Sequence, residues 1–240
     1  MSISKLTRQK IKYFQENTAS FFLILLFSAD LIFIFLHLLH VFSSILKNNL
    51  FSISIDFGYP EVYQYIKEFW MIILMFFIFF KSRQIGYFIW SILFVYLLCD
   101  DALQIHEKVG SIIASNLDFN PLFGLRAVDY GEIAVTAIAG AFFLSFIGLN
   151  YLQGSSTFKR VTQDLFLLLL MLAFFGIFTD MLHVAVLPGK KINSIIGVIE
   201  DGGEMIVISL MTWYIFLLAI RKGCLDYSLG NLLSSILYQK

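Results

Sequence analysis

The sequence predicts an all-α protein: a polytopic membrane helix bundle of six transmembrane helices, built from two or three αα-hairpin repeats. Three observations predict it. Hydrophobic residues make up 59% of the 240, and the mean hydropathy of +0.81 is far above that of a soluble domain. Six apolar runs recur along the chain, each near the roughly 20 residues that a bilayer span requires. Most of the acidic residues gather inside the ends of those runs, on one side. A charged side chain within a span costs roughly 2.5–3.5 kcal/mol on insertion scales, so such residues mark a candidate site.

The first predicted helix covers Thr18–Phe42 and follows Lys5, Arg8, Lys10 and Lys12. It is too long for a signal h-region and no small-x-small cleavage site follows, so it reads as a retained signal-anchor. The second covers Glu61–Phe80, with Pro60 suited to its first turn. The third covers Ile85–Val109 and the fourth Val128–Leu152. The fifth, Val161–Leu187, is stopped by Pro188-Gly189, and the sixth is Ile195–Ile220. All of 1–240 forms one membrane domain, with hairpins at about 18–80, 85–152 and 161–220.

Loop cations set the orientation. Eleven Lys and Arg fall on the side of both termini and six on the other, so both termini are expected in the cytoplasm. Fourteen of the seventeen acids belong to the opposite, extracytoplasmic half. Zero net charge points away from nucleic acid as a partner and leaves membrane lipid as the natural surrounding. Cys99 and Cys224 fall at opposite faces, which excludes a disulfide between them.

Two hairpins read as copies. Asp101–Gly110 aligns without gaps on Asp180–Gly189 in the frame D-x-L-x-[I/V]-x4-G. The following helices open with D-x-G-E, at Asp129–Glu132 and at Asp201–Glu204. The first hairpin reads as a worn third copy, with Asp30, Glu61 and Glu68. Parallel repeats build transport folds and static bundles alike, so the repeat does not decide function.

Residues three, four and seven apart share a helix face. On that rule the outer ends present Asp30, His37 and His40; Glu61, Tyr65 and Glu68; Asp100, Asp101, Gln104 and Glu107, flanked by His106; Arg126, Asp129 and Glu132; Asp180 and His183; and Glu200, Asp201 and Glu204. Up-down threading brings the six sets to one level. So many carboxylates must share protons, pair with cations or bind metal. Nearby cations are few, which favours a divalent metal: zinc, iron or manganese. The expected ligands are Asp101, His106, Asp129, Glu132, Asp180, His183, Asp201 and Glu204, with Glu107 or Glu204 as general base. The pattern resembles the carboxylate and E-x-x-H logic of di-iron bundles, with Gln104 where a second histidine would stand. The plainer reading is a set of solvated helix ends in a wide vestibule.

The stretches Leu98–Gly110 (LCDDALQIHEKVG) and Ile199–Met205 (IEDGGEM) resemble the signatures of an uncharacterised bacterial multi-pass membrane family. That resemblance implies a polytopic fold in the bacterial cytoplasmic (inner) membrane and implies no activity. Alkaline-ceramidase-type hydrolases also carry helix-borne Asp and His on zinc, but their late H-x-x-x-H pair is missing here. The leading functional reading is a membrane metalloprotein opening to the extracytoplasmic side, an enzyme acting on a lipid or membrane-proximal bond. The alternatives are a proton- or cation-coupled transporter or channel, and an assembly protein whose acidic crown binds an unidentified basic protein.

Overall fold

The computed structural model describes residues 3–43, 45–116, 125–181 and 190–221, with side chains described from 15 onward and not over 190–194. Seven α-helices account for most of them: α1 (Ile3–Phe42), α2 (Tyr59–Ser82), α3 (Ile85–Leu103), α4 (Ile105–Asn116), α5 (Ala127–Gln153), α6 (Ser156–Ala173, extended by a π-helical turn over Phe174–Thr179) and α7 (Lys190–Ile220). Six stretches are long and apolar enough to cross a membrane: Gln15–Phe42, Tyr59–Ser82, Ile85–Leu103, Ala127–Gln153, Ser156–Thr179 and Ile195–Ile220. The protein is a multi-pass membrane helix bundle.

Local chemistry explains the boundaries. Pro60 sits in the first turn of α2, where a missing N–H costs nothing. Arg83 ends α2 in the left-handed region at φ 57°, and its N–H closes on the Phe79 carbonyl. Ser155 caps α6 by accepting from the Phe158 N–H. At the start of α5 the Asp129 carboxylate reaches back and accepts the Arg126 backbone N–H.

The third predicted helix is not continuous. Gln104 adopts φ 53° and separates α3 from α4. The turn is held because Asp100 Oδ1 accepts the His106 N–H at 2.9 Å, which supplies a partner for an amide at the start of α4. A stripe of Asp101, Gln104 and Glu107 therefore does not form. Gln104 instead donates to Asp56 Oδ2 at 2.7 Å, and Glu107 is exposed.

The hub of the bundle is α7. Two thirds of its span, 67%, is buried, against 6% for α5. Met211, Trp213, Tyr214, Ile215 and Leu218 of α7 share one apolar cluster with Met71 and Met75 of α2, Trp90 and Phe94 of α3, and Phe158 and Leu165 of α6. The outward phenylalanines and leucines, such as Phe21, Leu31, Phe142 and Leu149, are exposed. In hydrocarbon they need no partner, and cohesion comes from packing and polar contacts between helices.

Polar contacts between helices tie the bundle. Lys67 Nζ, fully buried, donates to Asp30 Oδ1 at 3.0 Å, to the Met205 carbonyl at 2.9 Å and to Ser209 Oγ at 3.0 Å. Ser209 donates to Asp30 Oδ2 at 2.6 Å, which closes the ring between α1, α2 and α7. Toward the other face, Tyr214 donates to Asp164 at 2.8 Å and Trp90 to Thr162 at 3.3 Å. At that end Gln15 donates to the Ile220 carbonyl at 2.9 Å and Arg221 pairs with Glu16. The start of the first span and the end of the last thus lie on one face.

The first hairpin adds less to the predicted level than its periodicity implied. Asp30 is spent on Lys67, His37 accepts from the Ile53 N–H at 3.2 Å, and His40 Nδ1 lies 3.0 Å from the Leu46 carbonyl. Of that hairpin, Glu68 alone among the described residues reaches the cavity described next.

Candidate functional site

A cavity of about 410 Å³ opens among α3, α5, α6 and α7. Its polar end is lined by Glu68, Asp100, Asp101, His106, Asp129, Glu132, Asp180 and Glu204. Odd and even spans bring these groups together because the former carry them late and the latter early. The remainder of the wall is mostly apolar, with Tyr96 and Thr136 adding hydroxyls.

Each side chain has a distinct setting. Asp129 is consumed locally: Oδ1 receives Arg126 Nη2 at 2.6 Å and Nε at 2.9 Å, while Oδ2 receives the Arg126 N–H at 2.6 Å. Asp100 and His106 form a second pair, with Nδ1 3.1 Å from Oδ2. Glu204 is lodged against the α6 backbone, because Gly176 leaves room for its Oε1 where any Cβ would collide. Gly176 belongs to the π-helical turn, an irregularity common at functional sites. Glu68 is 2% exposed and lines the cavity, and its Oε2 has no hydrogen-bond donor among the described residues. Its carboxyl faces that of Asp101 at hydrogen-bonding distance. Two carboxyls in that relation are held by a shared proton or a shared cation.

Asp100, Asp101 and His106 can present one ligand atom each with all three within 4.8 Å of one another. When Nδ1–H donates to Asp100, Nε2 is left as the lone-pair face, the arrangement in which a carboxylate orients a metal-binding imidazole.

His106 lies outside the spans. The hydrogen bond to Asp100 is the largest influence on its imidazole and raises the pKa from 6.5, with desolvation opposing. Because the folded value is raised, the imidazolium–carboxylate pair contributes stability that is complete below about pH 6.5 and is lost as pH rises through the raised value. The ring is 30% exposed, so water screens part of that contribution. Asparagine at 100 keeps the acceptor for the His106 N–H and removes the charge. In chelator, the melting-temperature gap between the unmodified protein and Asp100→Asn should narrow as pH rises through that window. A gap that stays constant or widens shows that His106 is not charged against Asp100.

Among the residues singled out from sequence, Asp101, His106, Asp129, Glu132, Asp180 and Glu204 line the cavity. Asp201 does not; its Oδ2 receives the Ser54 hydroxyl at 2.5 Å. Glu107 points into the exposed surface of α4. His183 lies outside the described residues, as does most of the second D-x-L-x-V frame. Glu68 and Asp100 were absent from the predicted ligand set. Their signal was present, since Asp100 heads the acidic pair and Glu68 shares a face with Glu61, but what selects them is burial.

No curated protein and no solved structure matches the chain. It belongs to the family described as "Domain of unknown function (DUF8692)", whose model matches residues 57–220 and so takes in every residue lining the cavity.

Proposed function

We propose that this member of a family with no assigned activity is a membrane metalloenzyme that holds a divalent transition metal at the polar end of the cavity and cleaves a lipid ester or amide there. The observation that carries the reading is the convergence of Asp100, Asp101 and His106 beside Glu68, a buried carboxyl whose Oε2 has no donor among the described residues. His106 Nε2 and Asp101 are the first ligands, and Asp100 orients the imidazole. Mixed imidazole and carboxylate donors suit zinc, iron or manganese. A bound divalent ion supplies Lewis-acid activation of the carbonyl and of the water that attacks it. Glu204, braced by Gly176, takes the proton from that water and returns it to the departing alcohol or amine, so water is split across the cleaved bond. Glu107 has no part in this scheme, because the break at Gln104 turns it away. The carboxylate end faces the extracytoplasmic side, by the asymmetry of the loop cations.

Protein purified without chelator should carry stoichiometric metal by elemental analysis. His106→Ala and Asp101→Asn should lose it, and Asp100→Asn should weaken it by about 10–100-fold. In right-side-out vesicles an impermeant chelator added outside should strip the ion. Unmodified protein without metal defeats the metal reading, and stripping from inside-out vesicles alone reverses the orientation.

A proton-coupled transporter is the second reading. The observation favouring it is that Glu68, at the cavity, is the sequence neighbour of Lys67 in the buried Lys67–Asp30 pair, which extends the polar groups beyond the cavity. Proton flux in metal-free proteoliposomes distinguishes the two, since the enzyme reading requires none.

A further inference from the structure

The apolar part of the cavity is as informative as its polar end. On α5 the lining residues run Asp129, Glu132, Ile133, Thr136, Ala137, Gly140 and Leu144, one stripe at helical spacing. Fifteen residues separate its ends, and at about 1.5 Å per residue the stripe is about 22 Å long. A matching stripe on α6 passes from Phe166 to Asp180, and a shorter one on α3 from Leu93 to Asp101. The three helices alternate in direction, yet each wall passes from apolar to acidic the same way. The cavity therefore has one polar end and one apolar end, and its long axis lies along the spans.

We propose that this apolar arm receives one acyl chain of a membrane lipid, whose polar head is thereby placed at the carboxylates. The substrate class this names rests on the enzyme reading above, while occupancy by the chain stands on the cavity alone. Length favours it: past the acids, Ile133 to Leu144 is eleven residues, about 16 Å, close to the roughly 15 Å of half a hydrocarbon core of about 30 Å, so the arm matches the depth of one leaflet. Polarity favours it, because the acyl chain of a membrane lipid is apolar along its length and is joined at one end to a polar head. The volume of about 410 Å³ falls within the roughly 300–1,000 Å³ of ordinary small-ligand sites. The wall is also shaped for occupancy. A Cβ at Gly140 would meet nothing within 4 Å, so the space beside it is open rather than packed. α5 closes on α4 at Gly131 and leaves this space beside α3 and α6.

The experiment uses the full chain in vesicles of phosphatidylcholine carrying a diazirine midway along one acyl chain. After photolysis, adducts are mapped by peptide mass. Adducts are expected on inward Leu97, Leu144 and Leu169 and on outward Ile138 and Phe142, which are 68% and 57% exposed. Gly140→Trp fills the open space and should cut the inward adducts by about tenfold or more, the factor matched by about 1.4 kcal/mol of lost binding. The outward adducts should remain. Ala173→Phe, from the facing wall, is an independent plug should the tryptophan prevent folding, and Gly140→Ala should leave labelling intact. Inward adducts that are absent, or that survive both plugs in folded protein, overturn the proposal. Metal content separates the two readings. Inward adducts on a metal-free protein remove the metalloenzyme and keep the acyl-chain site, whereas bound metal without inward adducts removes only the acyl-chain site.

Discussion

Lys67→Met should destabilise the bundle by about 3–5 kcal/mol, the cost of leaving the opposite member of a buried ion pair uncompensated. The ammonium is fully buried and uses all three of its protons, on Asp30, Met205 and Ser209. Its removal leaves the Asp30 carboxylate with Ser209 as its remaining hydrogen-bond donor among the described residues, between α1, α2 and α7. Asp30→Asn should be nearly as harmful, because it leaves the lysine as an unneutralised cation. The double variant Asp30→Asn with Lys67→Met should recover most of the loss, since neither charge remains to be solvated. Denaturation in mixed micelles gives the four stabilities of that cycle. Additive single effects in the double variant refute the pairing, and so does a Lys67→Met protein as stable as the original.

The second large effect is expected at Gly131. A Cβ built there lies 2.7 Å from the Gly110 carbonyl carbon and 2.8 Å from its Cα. One built at Gly110 lies 2.7 Å from the Glu132 nitrogen and 3.0 Å from its Cα. These neighbours are backbone and cannot rotate aside, so Gly131→Val forces α4 and α5 apart. Overpacking of this kind costs about 1–3 kcal/mol, and close backbone approach through small residues is what associates helices in lipid. The separation also moves Glu132 away from His106 at the polar end of the cavity. Gly148→Ala is the control: nothing lies within 4 Å of its added methyl, and alanine in a helix is worth roughly 0.5–1 kcal/mol over glycine. Equal stability of Gly131→Val and Gly148→Ala would falsify the close contact.

How much of the site was legible follows from which physical signal each residue carried. Asp101, Glu132, Asp180 and Glu204 were legible because helical periodicity and alternating span direction bring the ends of spans to one level whatever the packing. Asp129 was legible as a neighbour of the site, but its pairing with Arg126 depends on the local turn of the cap. His106 was placed to one side of a continuous helix, and Glu107 on its working face. The left-handed Gln104 exchanges those positions, because a single residue at φ 53° redirects everything after it. No local propensity announces that turn in LCDDALQIHEKV; it is held by Asp100 reaching forward to His106.

By itself the sequence determined the six apolar spans, their alternation and the gathering of carboxylates at one end. Those follow from the cost of exposing backbone and charge to hydrocarbon, which acts on any packing of the chain. Only the tertiary structure decided which carboxylates are consumed and which stay available. Asp30 is matched by a lysine one helix away and Asp201 by a serine in a distant loop, whereas Glu68 is buried with an oxygen that has no donor among the described residues. It also decided that the space beside Gly140 is open. Those outcomes depend on contacts between residues far apart in the chain, and a one-dimensional pattern carries no information about which of two equally spaced acids meets its partner.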